Sequence, residues 1–318
     1  MKIVVTGALG HIGSRLIRDL PLSFPGSEIV MVDNMMTQRY CSLFNLPREG
    51  NYRFIEADIT QMELHPLLEG SHVVIHLAAI TDAAGSFDRA EQLEENNFNA
   101  TKRMAEACAE RGVRLITLSS ASVYGTQSDL VNEDCTEEEL QPQSPYATTK
   151  LKEERLVQQL AREKGLKAGI CRFGTIFGAS PGMRFHTAVN KFCWQASMGI
   201  PITVWSTAYD QKRPYLDLGD ACKAIAHIIR SELFDGRVYN VLTLNATVRE
   251  IVETIRTFVP ALEINFVDNK IMNQLSYEVS DKRFRETGFT PAGNLLNSIK
   301  KELQILKADK SSADKHCA

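Results

Sequence analysis

Short runs rich in Val and Ile alternate with longer stretches whose apolar residues recur every three or four positions through the first half of the chain. The short runs predict strands at 2–6, 28–33, 52–56, 73–76 and 115–119. The longer stretches predict helices at 12–20, 91–111 and 145–164. Strands that alternate with helices imply a parallel sheet covered on both faces, hence an α/β fold with a doubly wound sheet. Such sheets bind ligands beyond the carboxyl ends of their strands, at the point where strand order reverses. Beyond residue 172 the regularity weakens. Residues 174–217, rich in Gly, Pro, Trp and polar side chains, read as loops with short elements, and 221–230 and 247–258 read as helices. The division that follows is a first domain at 1–172, completed by late strands from the C-terminal half. A smaller interleaved lobe at 173–307 and a polar, aperiodic, flexible tail at 308–318 complete the chain.

The first predicted strand runs into Thr6-Gly7-Ala8-Leu9-Gly10-His11-Ile12-Gly13 and then a helix. Gly7 suits a tight turn, Gly10 lets the backbone approach a pyrophosphate, and Gly13 lets the helix pack on the strand. Amides at the helix start then attract phosphate charge. Asp33 ends the second strand, where a carboxylate accepts hydrogen bonds from adenosine ribose hydroxyls and repels a 2′-phosphate. The expected fold is therefore of Rossmann type and the expected cofactor NAD rather than NADP, with Asn34 beside Asp33.

Ser144-Pro145-Tyr146-Ala147-Thr148-Thr149-Lys150 begins the helix at 145–164, with Ser144 placed to cap it and Pro145 suited to its first turn. Tyr146 and Lys150, four apart, share one face. A free tyrosine ionises near pH 10, and a neighbouring ammonium brings that value down, so Tyr146 can act as a base toward an alcohol. Upstream, Leu118-Ser119-Ser120-Ala121-Ser122-Val123-Tyr124-Gly125 closes the fifth strand and offers Ser120 as a hydroxyl partner for the reacting oxygen.

Composition narrows the setting. The 318 residues carry a formal net charge of -3 and are 44% hydrophobic and 24% charged, which argues against a general nucleic-acid binder and against disorder. No apolar run is long enough to span a bilayer, and no apolar signal region opens the sequence. The seven cysteines are scattered without a CxxC pair, so neither a disulfide framework nor a metal site is expected, and a reducing cytoplasm is the expected compartment.

The spacing TGxxGxxG resembles the form found in extended short-chain dehydrogenases/reductases of the NAD-dependent epimerase/dehydratase type, and further segments continue the resemblance. Asp58-Ile59 resembles that family's adenine contact, and His76-Leu77-Ala78-Ala79 its fourth-strand motif lining the cofactor. Asn97-Phe98-Asn99-Ala100-Thr101 is similar to its NxxGT helix motif, with Ala100 in place of Gly. The resemblance implies a catalytic set of Ser120, Tyr146 and Lys150, with Lys150 also holding the nicotinamide ribose. It places Gly7, Gly10, His11, Ile12, Gly13, Asp33, Asn34, Asp58, Ile59, Leu77, Ala78, Ala79 and Asn97 at the cofactor. It places Thr81, Ser122, Thr175 and Arg213 with Ser120 and Tyr146 at a nucleotide-diphosphate sugar. Arg213 opens a segment, Arg213-Pro214-Tyr215-Leu216-Asp217, that resembles the family's diphosphate-gripping arginine stretch. Asp220 reads instead as an anchor of the local fold.

Family 4,6-dehydratases carry an Asp-Glu pair where this chain has Ala121-Ser122, and decarboxylases place a Glu where Ser122 stands. The resemblance thus points to an epimerase, most closely to the nucleotide-sugar 4-epimerases. Thr175 replaces a family Asn, Leu242 replaces a Gly, and 271–277 lacks a second diphosphate arginine, so nucleotide and sugar stay open. Two rival readings remain: a dehydrogenase of a nucleotide sugar or small hydroxy compound that releases NADH, and a non-catalytic nucleotide sensor on the same fold. The helices at 91–111 and 145–164 resemble those through which family members dimerise by a four-helix bundle. Leu151, Leu156 and Leu160 would face either the partner or their own sheet. Trp194, Trp205 and Tyr209 read as core residues first and as shapers of the pocket second.

Overall fold

The computed structural model describes residues 1–81, 90–125, 130–268 and 276–306. In chain order its elements begin β1 (Lys2–Thr6), α1 (His11–Ser23), β2 (Glu28–Asp33), β3 (Asn51–Glu56), α2 (His65–Leu68), β4 (Val73–His76) and α3 (Ala90–Arg111). Next come β5 (Arg114–Ser120), β6 (Leu130–Val131), α4 (Pro145–Lys164), β7 (Ala168–Phe173), β8 (Thr175–Phe177), α5 (Ala188–Met198), β9 (Ile202–Trp205) and β10 (Lys212–Asp217). The chain continues through α6 (Leu218–Arg230), β11 (Asp235–Val241), β12 (Leu244–Thr247), α7 (Val248–Arg256), β13 (Ile264–Val267), β14 (Glu278–Val279), α8 (Lys282–Arg285) and α9 (Leu295–Leu306).

Seven strands form one sheet in the order β11-β7-β5-β4-β1-β2-β3, every pair parallel. Successive side chains of a strand point to opposite faces, and β1 uses both. Ile3 and Val5 join a core with Leu16, Ile17 and Leu20 of α1 and Ile225 and Ile228 of α6. Val4 turns to the other face, against Met104 and Cys108 of α3 and Val157 and Leu160 of α4. Strand order reverses between β1 and β4, so the crevice above their carboxyl ends is where a ligand fits such a fold. At the far edge the sheet is completed by β11, contributed from beyond residue 172.

The second lobe packs α5, α7 and α9 around Phe177, Phe192, Ile251 and Ile299, flanked by the small sheet β12-β10-β8. Here the structure departs from the sequence reading. Residues 174–217 hold an 11-residue helix, α5, as well as three strands. Its apolar positions Val189, Phe192, Cys193 and Ala196 follow helical spacing but lie among Gly, Pro and polar residues that hid the pattern. Trp194, expected in the core, is 37% exposed and tilts against Phe185. Leu151 and Leu160 are buried within the chain's own core, so they do not supply an outer face for a partner. The expected tail at 308–318 lies outside the described residues.

Candidate active site

The glycine turn follows from tight packing between two strand ends. Gly7 adopts φ +63°, and a Cβ there would lie 2.7 Å from the Ala78 amide nitrogen and from the Leu77 carbonyl carbon. The turn after β1 thus lies directly against Leu77-Ala78 after β4, which is why small residues serve there. A Cβ on Gly13 would come within 2.4 Å of the Gly7 carbonyl oxygen, so only glycine lets α1 start this close to the strand. At Gly10 the situation is the reverse. A Cβ there would meet only the Gly7 carbonyl oxygen at 3.3 Å and the Arg39 guanidinium at 3.9 Å, so the turn has an open side on which a phosphate fits.

Asp33, at the end of β2, accepts the Leu9 amide at 3.1 Å through Oδ2 and the Met35 amide at 3.0 Å through Oδ1. These bonds fix the carboxylate beside the turn. Each carboxylate oxygen keeps lone-pair capacity suited to a ribose diol. Asn34 donates to Asp58 Oδ2 at 3.2 Å, and Asp58 Oδ1 accepts from the Thr60 hydroxyl at 2.6 Å and its amide at 2.8 Å. Chiefly through the Thr60 hydroxyl, these bonds hold the Asp58 carboxyl below the usual range. Ile59 beside it is buried in the sheet core. Asn97 clamps the loop after β4, accepting the Ile80 amide at 2.8 Å and donating to the Ile80 carbonyl at 2.9 Å.

His11 and Ile12 open α1, but the His11 ring turns into the protein. Its Nδ1 lies 3.0 Å from the Ser180 hydroxyl and its Nε2 3.4 Å from the Asn190 amide group. Burial first, then the nearby Arg184, Arg39 and His186 charges, push its pKa down to about 3, so the ring is neutral. The segment between β8 and α5 is thereby fastened onto the glycine turn, an attachment strengthened by the Gly182 amide donating to Ser14 at 2.9 Å. Sequence reading missed this strap, because its partners lie 169 and 179 positions from His11. It also missed Arg184, which donates to the Thr81 hydroxyl, and Arg39, held beside Asp33 and Gly10.

The head of α4 is set by Ser144, whose hydroxyl accepts the Ala147 amide at 3.2 Å, and by Pro145 in the first turn; Gly165 in the left-handed region ends the helix. The capped helix sets Lys150 in the interior, with Nζ 6.0 Å from the centroid of the Tyr146 ring. The short turn after β5 packs on α4. Within it the Ser120 oxygen accepts from the Ser122 hydroxyl at 2.8 Å and from the Ser122 amide at 3.2 Å. Neither Ala121 nor Ser122 carries an acid.

Beneath α4 the Glu154 carboxylate grips Arg172 of β7, whose Nη1 donates to the Tyr124 hydroxyl at 2.9 Å. That hydroxyl donates in turn to Asn240 of β11 at 2.9 Å. This network fixes the serine turn to the sheet. On the lobe side the Arg213 guanidinium lies 4.9 Å above the Tyr277 ring, and Tyr277 donates to the Ala121 carbonyl at 3.0 Å. Thr175 begins β8, paired with Tyr215 of the Arg213 strand. Asp220 accepts the Ala292 and Gly293 amides, both at 2.9 Å, and the Thr243 hydroxyl at 2.7 Å, which is the anchoring work expected of it.

Residues 3–241 match the NAD dependent epimerase/dehydratase family. The chain belongs to that family. An uncharacterized UDP-glucose epimerase of Bacillus subtilis (strain 168) is 28% identical over 97% of this chain and 98% of its own length. An Arabidopsis thaliana trifunctional UDP-glucose 4,6-dehydratase/UDP-4-keto-6-deoxy-D-glucose 3,5-epimerase/UDP-4-keto-L-rhamnose-reductase is 30% identical over 95% of this chain. The match spans 46% of that longer protein. Among solved structures, the UDP-glucuronic acid 4-epimerase of Bacillus cereus in complex with UDP-glucuronic acid and NAD aligns with a TM-score of 0.86 at 26% identity. That alignment covers 96% of this chain and 99% of the other. The family's cofactor is NAD, and the open glycine turn and fixed Asp33 carboxylate suit it. No helix among the described residues is long and apolar enough to cross a membrane. Nor do the described residues hold a group of three or more His, Cys, Asp or Glu side chains able to bind a metal.

Proposed function

We propose that this protein is an NAD-dependent nucleotide-sugar epimerase, acting on a UDP-type sugar at its 4-position. The observation that carries the reading is the buried Lys150 one turn beyond Tyr146, beside a Ser120 turn whose next two residues carry no acid. The NAD held at the glycine turn and Asp33 would supply the hydride acceptor and donor for the sugar carbon. The rest is the work of the chain. Tyr146 removes the proton from the sugar hydroxyl as that carbon is oxidised, then returns it. Ser120 hydrogen-bonds the same oxygen, and the Lys150 ammonium, 6.0 Å from the centroid of the Tyr146 ring, is the positive charge beside the base. Inversion requires only that the keto sugar turn in the pocket before reduction, so no further acid or base is called for. Ala121 and Ser122 offer none, where the family resemblance leads one to expect an Asp-Glu pair in a 4,6-dehydratase.

For the cofactor, Gly7, Gly10, Gly13 and the backbone of His11 and Ile12 take the pyrophosphate. Asp33 and Asn34 take the adenosine ribose, Asp58 and Ile59 the adenine side, and Leu77, Ala78, Ala79 and Asn97 the nicotinamide side. Thr81 and Ser122 of the cofactor domain, with Thr175 and Arg213 of the lobe, take the nucleotide-diphosphate sugar, and the multidentate guanidinium of Arg213 suits its diphosphate. Residues 1–172 with β11 form the cofactor domain and the remainder chiefly the substrate lobe. The working form in this reading is a cytoplasmic homodimer formed through a four-helix bundle of α3 and α4.

The test incubates the purified protein and NAD with UDP-, dTDP-, GDP- and CDP-sugars, following products by NMR and NADH by absorbance. An inverted sugar without NADH accumulation is expected, and NADH rising in step with an oxidised product would make the protein a dehydrogenase instead. Tyr146→Phe is expected to keep cofactor binding and lose about 10²–10⁴-fold in kcat. A near-normal rate would remove Tyr146 from the role of base.

A further inference from the structure

Tyr146, Lys150 and Glu153 lie at i, i+4 and i+7 of α4 and share one face. Glu153 did not enter the assignments above. Its side chain is 3% exposed, and its Oε2 sits 2.9 Å from Lys150 Nζ, itself buried. The same oxygen accepts the Thr101 hydroxyl of α3 at 2.9 Å. With its proton committed to Glu153, the Thr101 oxygen is an acceptor for His76 Nε2 of β4, 3.3 Å away. His76 then carries its proton on Nε2 and accepts the Thr6 hydroxyl at Nδ1, 2.8 Å away. Burial, with Lys150 adding to it, pushes the His76 pKa down to about 3, so the ring is the neutral tautomer this chain of donors requires. Every donor in the series points toward the Glu153 carboxylate, which is paired with Lys150. Oε1 has no hydrogen-bond partner among the described residues, so the carboxylate is held by one oxygen only.

We propose that Glu153 is a positioning residue for the catalytic pair, holding Lys150 and setting the pH at which Tyr146 and Lys150 together release their first proton. This rests on the reading of Tyr146 as the base. The electrostatic reason does not depend on which partner loses the proton, because a neighbouring negative charge raises the proton affinity of every group near it. The Glu153 carboxylate lies 2.9 Å from Lys150 Nζ, so its charge opposes loss of the ammonium proton. Despite complete burial, which by itself lowers an ammonium pKa, Lys150 is driven above its ordinary value by Glu153 first and Tyr146 second. On α4, Lys152 pairs with Glu94, Arg155 with Glu137 and Glu154 with Arg172 of β7. From β4 the facing titratable group is His76, which is neutral, and from α3 the contact is the uncharged Thr101.

Two readouts test this on the full chain. The tyrosinate absorbance of the unloaded protein, taken as a difference against Tyr146→Phe, is titrated with pH for the wild type, Glu153→Gln and Glu153→Asp. The acid limb of the kcat profile is measured on the same proteins. For Glu153→Gln both are expected to move to lower pH by one unit or more, a tenfold or greater change in proton concentration. Glu153→Asp, which keeps the charge, is expected to lie near the wild type. Wild-type and Glu153→Gln curves that coincide would overturn the proposal, as would a Glu153→Asp curve that follows Glu153→Gln. A Tyr146→Phe protein with full turnover would instead overturn the assignment of the base, and the absorbance titration would still report on Glu153.

Discussion

A single buried carboxylate in the second lobe sets a stability signature that can be worked through in advance. Glu302 of α9 is fully enclosed, and neither carboxylate oxygen has a well-formed hydrogen bond among the described residues. Burial raises its pKa from 4.5 to about 7, with the Cys193 thiol and Gly178 amide offering partial relief and the Asp217 charge opposing them. In the folded protein Glu302 therefore keeps a proton that the unfolded chain gives up above its ordinary carboxyl range. Between pH 4.5 and about 7 the native state binds more protons, so stability falls as pH rises through that window. At about 1.4 kcal/mol per pH unit of displacement, the charge costs about 3 kcal/mol once pH exceeds the folded value. Glu302→Gln keeps the shape and removes the charge. It is expected to stabilise the protein by about 3 kcal/mol at pH 8 and to change little near pH 4.5. With an unfolding entropy of about 2.1 cal/mol/K per residue, that is a rise in Tm of about 4–5 °C. Scanning calorimetry of both proteins at the two pH values is the assay. A difference in Tm independent of pH would refute the reasoning, because it would mean that Glu302 is equally charged, or equally neutral, in both states.

The parts legible in the sequence were those governed by local rules. The first five strands and the helices α1, α3 and α4 announced themselves through period and punctuation, as at Ser144-Pro145 before α4 and Gly165 after it. The glycine turn was legible because backbone contact with Leu77-Ala78 leaves no room for a side chain at Gly7. What escaped was set by distant neighbours. The strap over the turn depends on His11 meeting Ser180 and Asn190, and no local pattern marks a histidine in a helix start as a tether between lobes. Glu153 reads in sequence as one more acid in Lys152-Glu153-Glu154-Arg155, an ordinary solvated helix face. Only the packing of α3 and β7 against α4 shows that Glu153 and Glu154 are both buried, one on Lys150 and the other on Arg172. α5 escaped for a different reason, since its apolar stripe is short and sits among residues that usually mark loops.

Two further perturbations separate close packing from charge. Gly13→Ala would force a Cβ within 2.4 Å of the Gly7 carbonyl oxygen and is expected to cost about 1–3 kcal/mol. Isothermal titration should show weaker NAD binding, and unchanged affinity would mean that the turn does not hold the pyrophosphate. Glu154→Gln addresses the pair beneath the site, where the Glu154 and Arg172 side chains are each 3% exposed. The amide keeps the size of the carboxylate but leaves a buried guanidinium without its paired charge, and that is expected to cost about 3–5 kcal/mol. Because the same guanidinium reaches Tyr124 and, through it, Asn240, the loss should spread to the serine turn and lower kcat as well as the urea midpoint. Glu286→Gln, which breaks an exposed pair with Lys282, is the control and should leave both unchanged. A midpoint for Glu154→Gln equal to that of the control would show that the buried pair is not needed to hold α4 and the serine turn on the sheet.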